Sequence, residues 1–347
     1  MTLVEDATRP AKTALEAGYS MPAEWAPHER CWMAWPCGEY WNEGPGLETI
    51  RGIFTDVAQA IRRFEPLTML ANPADVEGAR ARLGPAIEVL PMVFDSEWLR
   101  DSGPSFVADG KGGLAATCWR FNAWGGKGDR WDDDATVAPR LCAHMRVLAF
   151  QSELFIEGGG LHVDGEGTVL TTETVVLNDN RNPGVTKAEA EEMLCQGLGA
   201  KKVIWLPGGT MTFTDGHVDG LACFIRPGVA LALMPADPVH PKYEIYAENL
   251  RALELATDAK GRSLEIHTII DASEAEPTGE HFIRTYVNFY IANGGVVVPG
   301  YGVPSDETAR ESIQGLFPGY EVVTVQAAQV AGAGGAIHCI TQQQPRV

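Results

Sequence analysis

Short apolar runs alternate along the chain with stretches in which apolar residues return every three or four positions. The second pattern marks an amphipathic helix, and the first, when bounded by turn residues, marks a strand. Cys31-Trp32-Met33-Ala34-Trp35-Pro36 predicts a strand, and residues 47–64, with Ile50, Ile53, Phe54, Val57, Ile61 and Phe64 at helical spacing, predict a helix. A strand over 67–70 closes this first unit, which carries an extra helix over 75–83. The second unit reads as strand 118–121, helix 132–144 and strand 147–150. The third reads as strand 174–177, a helix from Thr186 and strand 203–206. Its helix opens on a capping box, Thr186 with Glu189, and stops at Gly199. The fourth spans 229–234, 241–255 and 264–270, and the fifth 296–298, 306–317 and 322–325. Residues 1–20 show little periodicity and are expected to be a loosely ordered lead-in, with one α/β domain over 21–347.

Repetition of one strand-turn-helix-strand unit favours a closed ring or a stack over a single open sheet. Each unit is followed by a polar motif: Trp98-Leu99-Arg100-Asp101-Ser102, Glu157-Gly158-Gly159-Gly160, Asp215-Gly216-His217-Val218-Asp219, more weakly Arg284-Thr285-Tyr286-Val287-Asn288, and last Cys339. In a ring, equivalent positions face one axis, so these motifs would meet in one pocket.

Charge narrows what that pocket could take. Lys and Arg number 27 against 46 Asp and Glu, a net charge of −19, which repels a polyanion such as nucleic acid and attracts a small cation. No apolar run is long enough for a membrane span and no leader pattern opens the chain, so a cytoplasmic protein is expected. The seven cysteines are odd in number and scattered, with no Cys-x-x-Cys pair, so neither disulfides nor zinc are expected. Gly158-Gly159-Gly160 lacks the spacing of a nucleotide fingerprint, and Asp132-Asp133-Asp134 lacks that of a calcium loop, so no cofactor or metal is expected. Homo-oligomerisation is left open.

Cys339 follows Gly334-Gly335-Ala336, small residues that let a ligand approach closely. A cysteine attacks as thiolate and needs a base or cation nearby. His217 is the candidate acid and base; at strand spacing it shares a face with Asp219, and Glu157 is the candidate to orient its ring. Asp101 and Asp219 in one pocket would repel unless a cation lay between them, and a planar guanidinium presents donors that two carboxylates can grip. Trp98 is a candidate wall, while His338 and Thr341 read as packing. Plainer roles fit each residue singly: a buried thiol, a structural histidine, a surface ion pair for Asp101. Two other classes stay open, a metal-dependent hydrolase using His217 and Asp219, and a non-catalytic cation-binding protein.

These strings, with Met21-Pro22-Ala23-Glu24-Trp25, Phe121-Asn122-Ala123-Trp124-Gly125-Gly126, Tyr286-Val287-Asn288-Phe289-Tyr290 and Ile337-His338-Cys339-Ile340-Thr341-Gln342-Gln343, stand in the order seen in a known group. From residue 21 to 345 the chain resembles the agmatine deiminases, a group shared with bacterial peptidylarginine deiminases and, more distantly, arginine deiminases and amidinotransferases. The resemblance implies a five-bladed pseudo-symmetric α/β propeller (a pentein) with a central active-site funnel, and cofactor-free hydrolysis of a small cationic guanidino substrate. It implies Cys339 as nucleophile, His217 as general acid and base, Asp101 and Asp219 as guanidinium holders and Glu157 as support for the histidine. Agmatine is the expected substrate, with peptidyl-arginine or another guanidino compound as the alternative. Ala336 and Gly220 depart from the group's pattern, each standing where asparagine is common; neither replaces a reacting group.

Overall fold

Each predicted helix leads from one strand to a parallel neighbour, and each such pair gains a third, antiparallel strand that the apolar pattern did not announce. The structure, a computed structural model, describes residues 13–38, 41, 44–209, 213–235 and 237–347. Among these the chain forms a mixed α/β fold of five small sheets, one of four strands and the rest of three, none closed on itself. Strand Ser105–Ala108 runs antiparallel to Leu114–Arg120, which runs parallel to Leu148–Phe155 across helix Val137–Met145. The same order recurs in the sheets that begin at His162–Val163, Ala222–Arg226 and Tyr290–Ala292.

The remaining sheet joins the ends of the chain. Its antiparallel strand is the C-terminal Thr341–Pro345, paired with His28–Ala34 in the register Met33 to Thr341 and Cys31 to Gln343. The pairing is pinned by the Trp32 indole, which donates to Gln344 Oε1 at 3.0 Å. Helix Leu47–Arg62 follows, burying Ile50, Phe54, Val57 and Ile61 on the face its spacing predicts. The third unit's helix, Lys187–Leu198, has the expected capping box at Thr186 and Glu189 and ends at Gly199 with φ 61°.

Two expectations fail locally. The strand predicted over 174–177 is a helical turn, Glu173–Val176, and the strand lies just before it at Thr168–Thr172. Thr174-Val175-Val176-Leu177 is too short to show a period, and the turn buries only Val175 and Val176. His217 and Asp219 do not share a strand either: His217 precedes a 3-10 turn, Val218–Gly220. Of the segment expected as a loose lead-in, residues 1–12 lie outside the described residues, and the remainder is docked. Ala14 is fully buried, Leu15 N donates to Gln196 O, and Ser20 bridges Ala108.

The functional motifs fall at one repeated place. A short helical turn, Leu99–Ser102, Gly158–Gly160, Val218–Gly220 or His338–Ile340, leads into the antiparallel strand of four sheets, and residues 286–288 do so in the fifth. The turn Leu99–Ser102 packs against both Gly158–Gly160 and His338–Ile340, and Gly158–Gly160 packs against Val218–Gly220. Among the described residues no helix is long and apolar enough to cross a membrane.

Candidate active site

Cys339 is held by its neighbours before any ligand arrives. The Asn288 carboxamide oxygen accepts from the backbone N–H of Ala336 and of His338, both at 3.1 Å, and its amide donates to the Cys339 sulfur at 3.2 Å. The thiol lies 3.4 Å from Asp219 Oδ2. Gly335 leaves room in front of it: a Cβ there would lie 2.5 Å from the Trp98 ring and 3.1 Å from the sulfur. No other residue type fits that approach.

Gly159 marks where the other motifs converge. A Cβ on it would lie 2.6 Å from His217 Nδ1, 2.8 Å from Asp101 Oδ1 and 3.0 Å from Asp219 Oδ2. The glycine run after Glu157 thus serves close approach of side chains. Asp101 accepts from the Gly159 N–H at 3.0 Å and from the Trp124 indole at 2.8 Å. Trp124 reaches it from a backbone turn in which Ala123 and Trp124 both hold φ 56°, followed by Gly125 at 84° and Gly126 at 75°. Left-handed conformations at two non-glycine residues cost of order 1–3 kcal/mol each, and here they aim one indole at one carboxylate.

His217 Nε2 lies 3.0 Å from Glu157 Oε2, while its Nδ1, 3.7 Å from Asp101 Oδ1, has no hydrogen-bond partner among the described residues. Both Glu157 oxygens accept from Arg181 Nε, at 2.9 and 3.0 Å, and Arg181 continues to Asp215 at 2.6 Å. Trp98, Asp101, Trp124, Phe213, Gly335 and Cys339 line a narrow pocket. All six sequence-predicted residues are therefore gathered: Cys339, Asp101 and Trp98 on the pocket, Asp219 against the sulfur, His217 beside Asp101, and Glu157 behind the imidazole.

Sequence reasoning missed Arg181 and Glu24, and misread His338. Its ring is not mere packing: Nδ1 lies 2.8 Å from Asp219 Oδ2 and Nε2 lies 2.8 Å from Glu24 Oε1. Arg100, adjacent to Asp101 in sequence, points away from it and contacts Glu24 at 3.6 Å. The capacity of His338 for two partners was the only signal available, and it carries no direction. Thr341 does pack, donating to Ile337 O.

The charges follow from this geometry. Burial raises the Asp101 pKa to about 6, with Asp219 and Glu157 adding to the rise and His217 opposing it. Burial acts on Asp219 in the same direction, but the hydrogen bond and charge of His338 win, and its pKa falls. Burial alone would lower the His217 pKa; Asp101 and Glu157 turn the net shift upward. For Glu157 the His217 and Arg181 contacts outweigh burial and lower it. Burial and then the charges of Asp219 and Asp101 push the Cys339 thiol well up. The shifts thus favour the protonated thiol and the charged imidazole, and the three carboxylates Asp101, Asp219 and Glu157 beside them attract positive charge. Among the described residues no cluster of His, Cys, Asp and Glu is arranged to hold a metal ion.

Fold and site together define a class: a mixed α/β protein of five small sheets in which turns ahead of the antiparallel strands gather an imidazole and two aspartates around Gly159, with a thiol against one of the aspartates. The family model of Porphyromonas-type peptidyl-arginine deiminases matches residues 20–345, and the chain belongs to that family. It is 42% identical to the agmatine deiminase of Stutzerimonas stutzeri, covering 96% of this chain and 97% of that one. To the agmatine deiminase of Pseudomonas aeruginosa it is 41% identical, over 97% of this chain and 98% of the other. The solved structure of an agmatine deiminase from Enterococcus faecalis superposes with a TM-score of 0.94 at 37% identity, covering 97% and 99% of the two chains.

Proposed function

We propose that this protein hydrolyses agmatine to N-carbamoylputrescine and ammonia through a covalent intermediate on Cys339. The observation that carries the proposal is the convergence of His217, Asp101 and Asp219 around Gly159, with the Cys339 thiol 3.4 Å from Asp219. Relatives named agmatine deiminase along nearly the whole chain support the same substrate.

The guanidinium sits between Asp101 and Asp219 and offsets one of their two charges. That weakens the carboxylate field which, after burial, holds the thiol protonated, so cation binding favours the thiolate, and the thiol proton passes to solvent. Sulfur adds to the guanidinium carbon, and the imidazolium of His217 gives its proton to the departing nitrogen, which leaves as ammonia. The remaining S-alkylthiouronium is attacked by water, whose proton passes to the now neutral His217. Collapse of that adduct expels the Cys339 sulfur, which takes up the remaining hydroxyl proton, and leaves a substituted urea. One water is consumed and one ammonia released per turnover.

The finer architecture belongs to the same reading: residues 21–347 as one catalytic domain, with the five units as blades around a funnel whose floor is the Cys339 pocket. The product is a carbamoylated diamine, which fits a cytoplasmic role in putrescine and polyamine biosynthesis. Ammonia release from agmatine, with and without iodoacetamide pre-treatment, tests the activity. Parallel assays with arginine and a peptidyl-arginine substrate separate agmatine from the alternatives, and turnover surviving complete thiol alkylation defeats the mechanism.

A further inference from the structure

Behind the pocket wall lies a buried network that the proposed reaction steps do not use. Glu24, from the segment ahead of strand His28–Ala34, places Oε1 2.8 Å from His338 Nε2 and Oε2 3.4 Å from His162 Nε2, with Arg100 Nη1 at 3.6 Å. The other nitrogen of His338 meets Asp219 Oδ2 at 2.8 Å, and that same oxygen faces the Cys339 sulfur. Glu24, His338 and Asp219 are each at least nine-tenths buried. Among the described residues Asp101, the other aspartate, has no imidazole within hydrogen-bond distance: His217 Nδ1 stays 3.7 Å away, and the carboxylate's two bonds come from neutral donors, the Gly159 N–H and the Trp124 indole.

We propose that His338, clamped by Glu24, is a positioning residue that ties back one oxygen of Asp219 and keeps Asp219 the standing anion of the pocket, leaving Asp101 as the carboxylate that gains and loses a proton. The inference rests on the guanidinium-binding reading above. Electrostatics agree with the geometry. Burial and the Arg100 charge lower the His338 pKa, yet Glu24 and Asp219 outweigh them and the net shift is upward. Glu24 falls well below its ordinary value through His338, His162 and Arg100 despite burial. The groups facing His338 are thus Glu24, Asp219 and Arg100, with the His162 ring stacked at 6.4 Å and Cys339 next in the chain. Asp219 faces His338, His217, Asp101 and the Cys339 thiol.

The test uses two alkylating reagents of nearly equal shape, cationic 2-chloroacetamidine and neutral 2-chloroacetamide, on the full chain across the pH range around the Asp101 midpoint, beside kcat and KM for agmatine. The wild-type protein should react faster with the amidine, by roughly tenfold or more when both carboxylates are charged. His338→Asn keeps a neutral donor in the place of Nδ1 but no charge. It should lose about tenfold of that selectivity on the acid side, move the acid limb of kcat/KM up by about one pH unit, and raise KM more than it lowers kcat. Glu24→Gln, one contact further from the pocket, should move both in the same direction by roughly threefold, and carries the test alone if His338→Asn does not fold. Unchanged selectivity and acid limb in folded variants overturn the inference. So does a fall in kcat with both untouched, the signature of a packing role. Absence of selectivity in the wild-type protein defeats the guanidinium reading itself, and is seen before any variant is made.

Discussion

Two buried arms of the same composition flank the pocket. On one side Arg181, Glu157 and His217 lead to Asp101; on the other Arg100, Glu24 and His338 lead to Asp219. In both the glutamate is lowered and the histidine raised by the same mutual attraction against burial. They differ in one nitrogen. His338 has partners at both ring nitrogens, whereas Nδ1 of His217 is buried without one, 3.7 Å from Asp101. Leaving a buried polar atom unpaired costs about 1–3 kcal/mol. A histidine with a spare nitrogen can pass a proton directly to a bound molecule, while one with both committed has first to give up a contact. In the proposed reaction it is this unspent hydrogen-bonding capacity, and not residue type, that assigns proton transfer to His217 and not to His338.

The largest expected effect lies between the arms. Cys339→Ser should lower agmatine turnover by about 10⁴-fold or more while leaving the urea midpoint unchanged, and appreciable turnover in that variant would remove the sulfur from the reaction. His217→Asn should lower kcat by roughly 10²–10⁴-fold. If its loss instead falls more on KM than on kcat, as expected for His338→Asn, the distinction between the arms is broken. Arg181→Met should leave the buried Glu157 with the His217 ring but without its guanidinium partner and cost about 3 kcal/mol in urea unfolding. The sign with pH is fixed: Glu157 is depressed in the folded chain, so its contribution is full above the ordinary carboxylate range and is lost as pH falls through the folded value. Arg181→Met should shrink that acid dependence, and a double variant with Glu157→Gln should recover stability. Smaller still, KM for a cationic substrate should rise as pH falls below the Asp101 value of about 6, read from initial rates. Trp124→Phe, which removes a donor to the Asp101 anion, should move that midpoint upward by under about one unit. A downward movement would contradict the assigned hydrogen bond.

Much of this was legible in the chain. Helical spacing located Leu47–Arg62, and the capping box with its terminal glycine located Lys187–Leu198, because those signals are written within a few neighbouring residues. The repeat of units, each ending in a polar motif, pointed to one shared pocket. The antiparallel strands were not legible. His162–Val163 is too short to show a period, and every residue of Thr341–Pro345 is buried although its sequence is polar, its pairing supplied by the far end of the chain. Glu24 and Arg181 were invisible for a related reason: their partners lie far away in sequence, and nothing local distinguishes them from surface charges.

The sequence by itself determined the kinds of groups present, the helices and most parallel strands, and the glycines that permit close approach, since each depends on local sterics and periodicity. Only the tertiary structure decided which carboxylate faces which histidine, why Asp101 rises while Asp219 falls, and which imidazole keeps a free nitrogen. Those properties depend on distance through space and on exclusion of water, and both are set when the turns of separate sheets pack together.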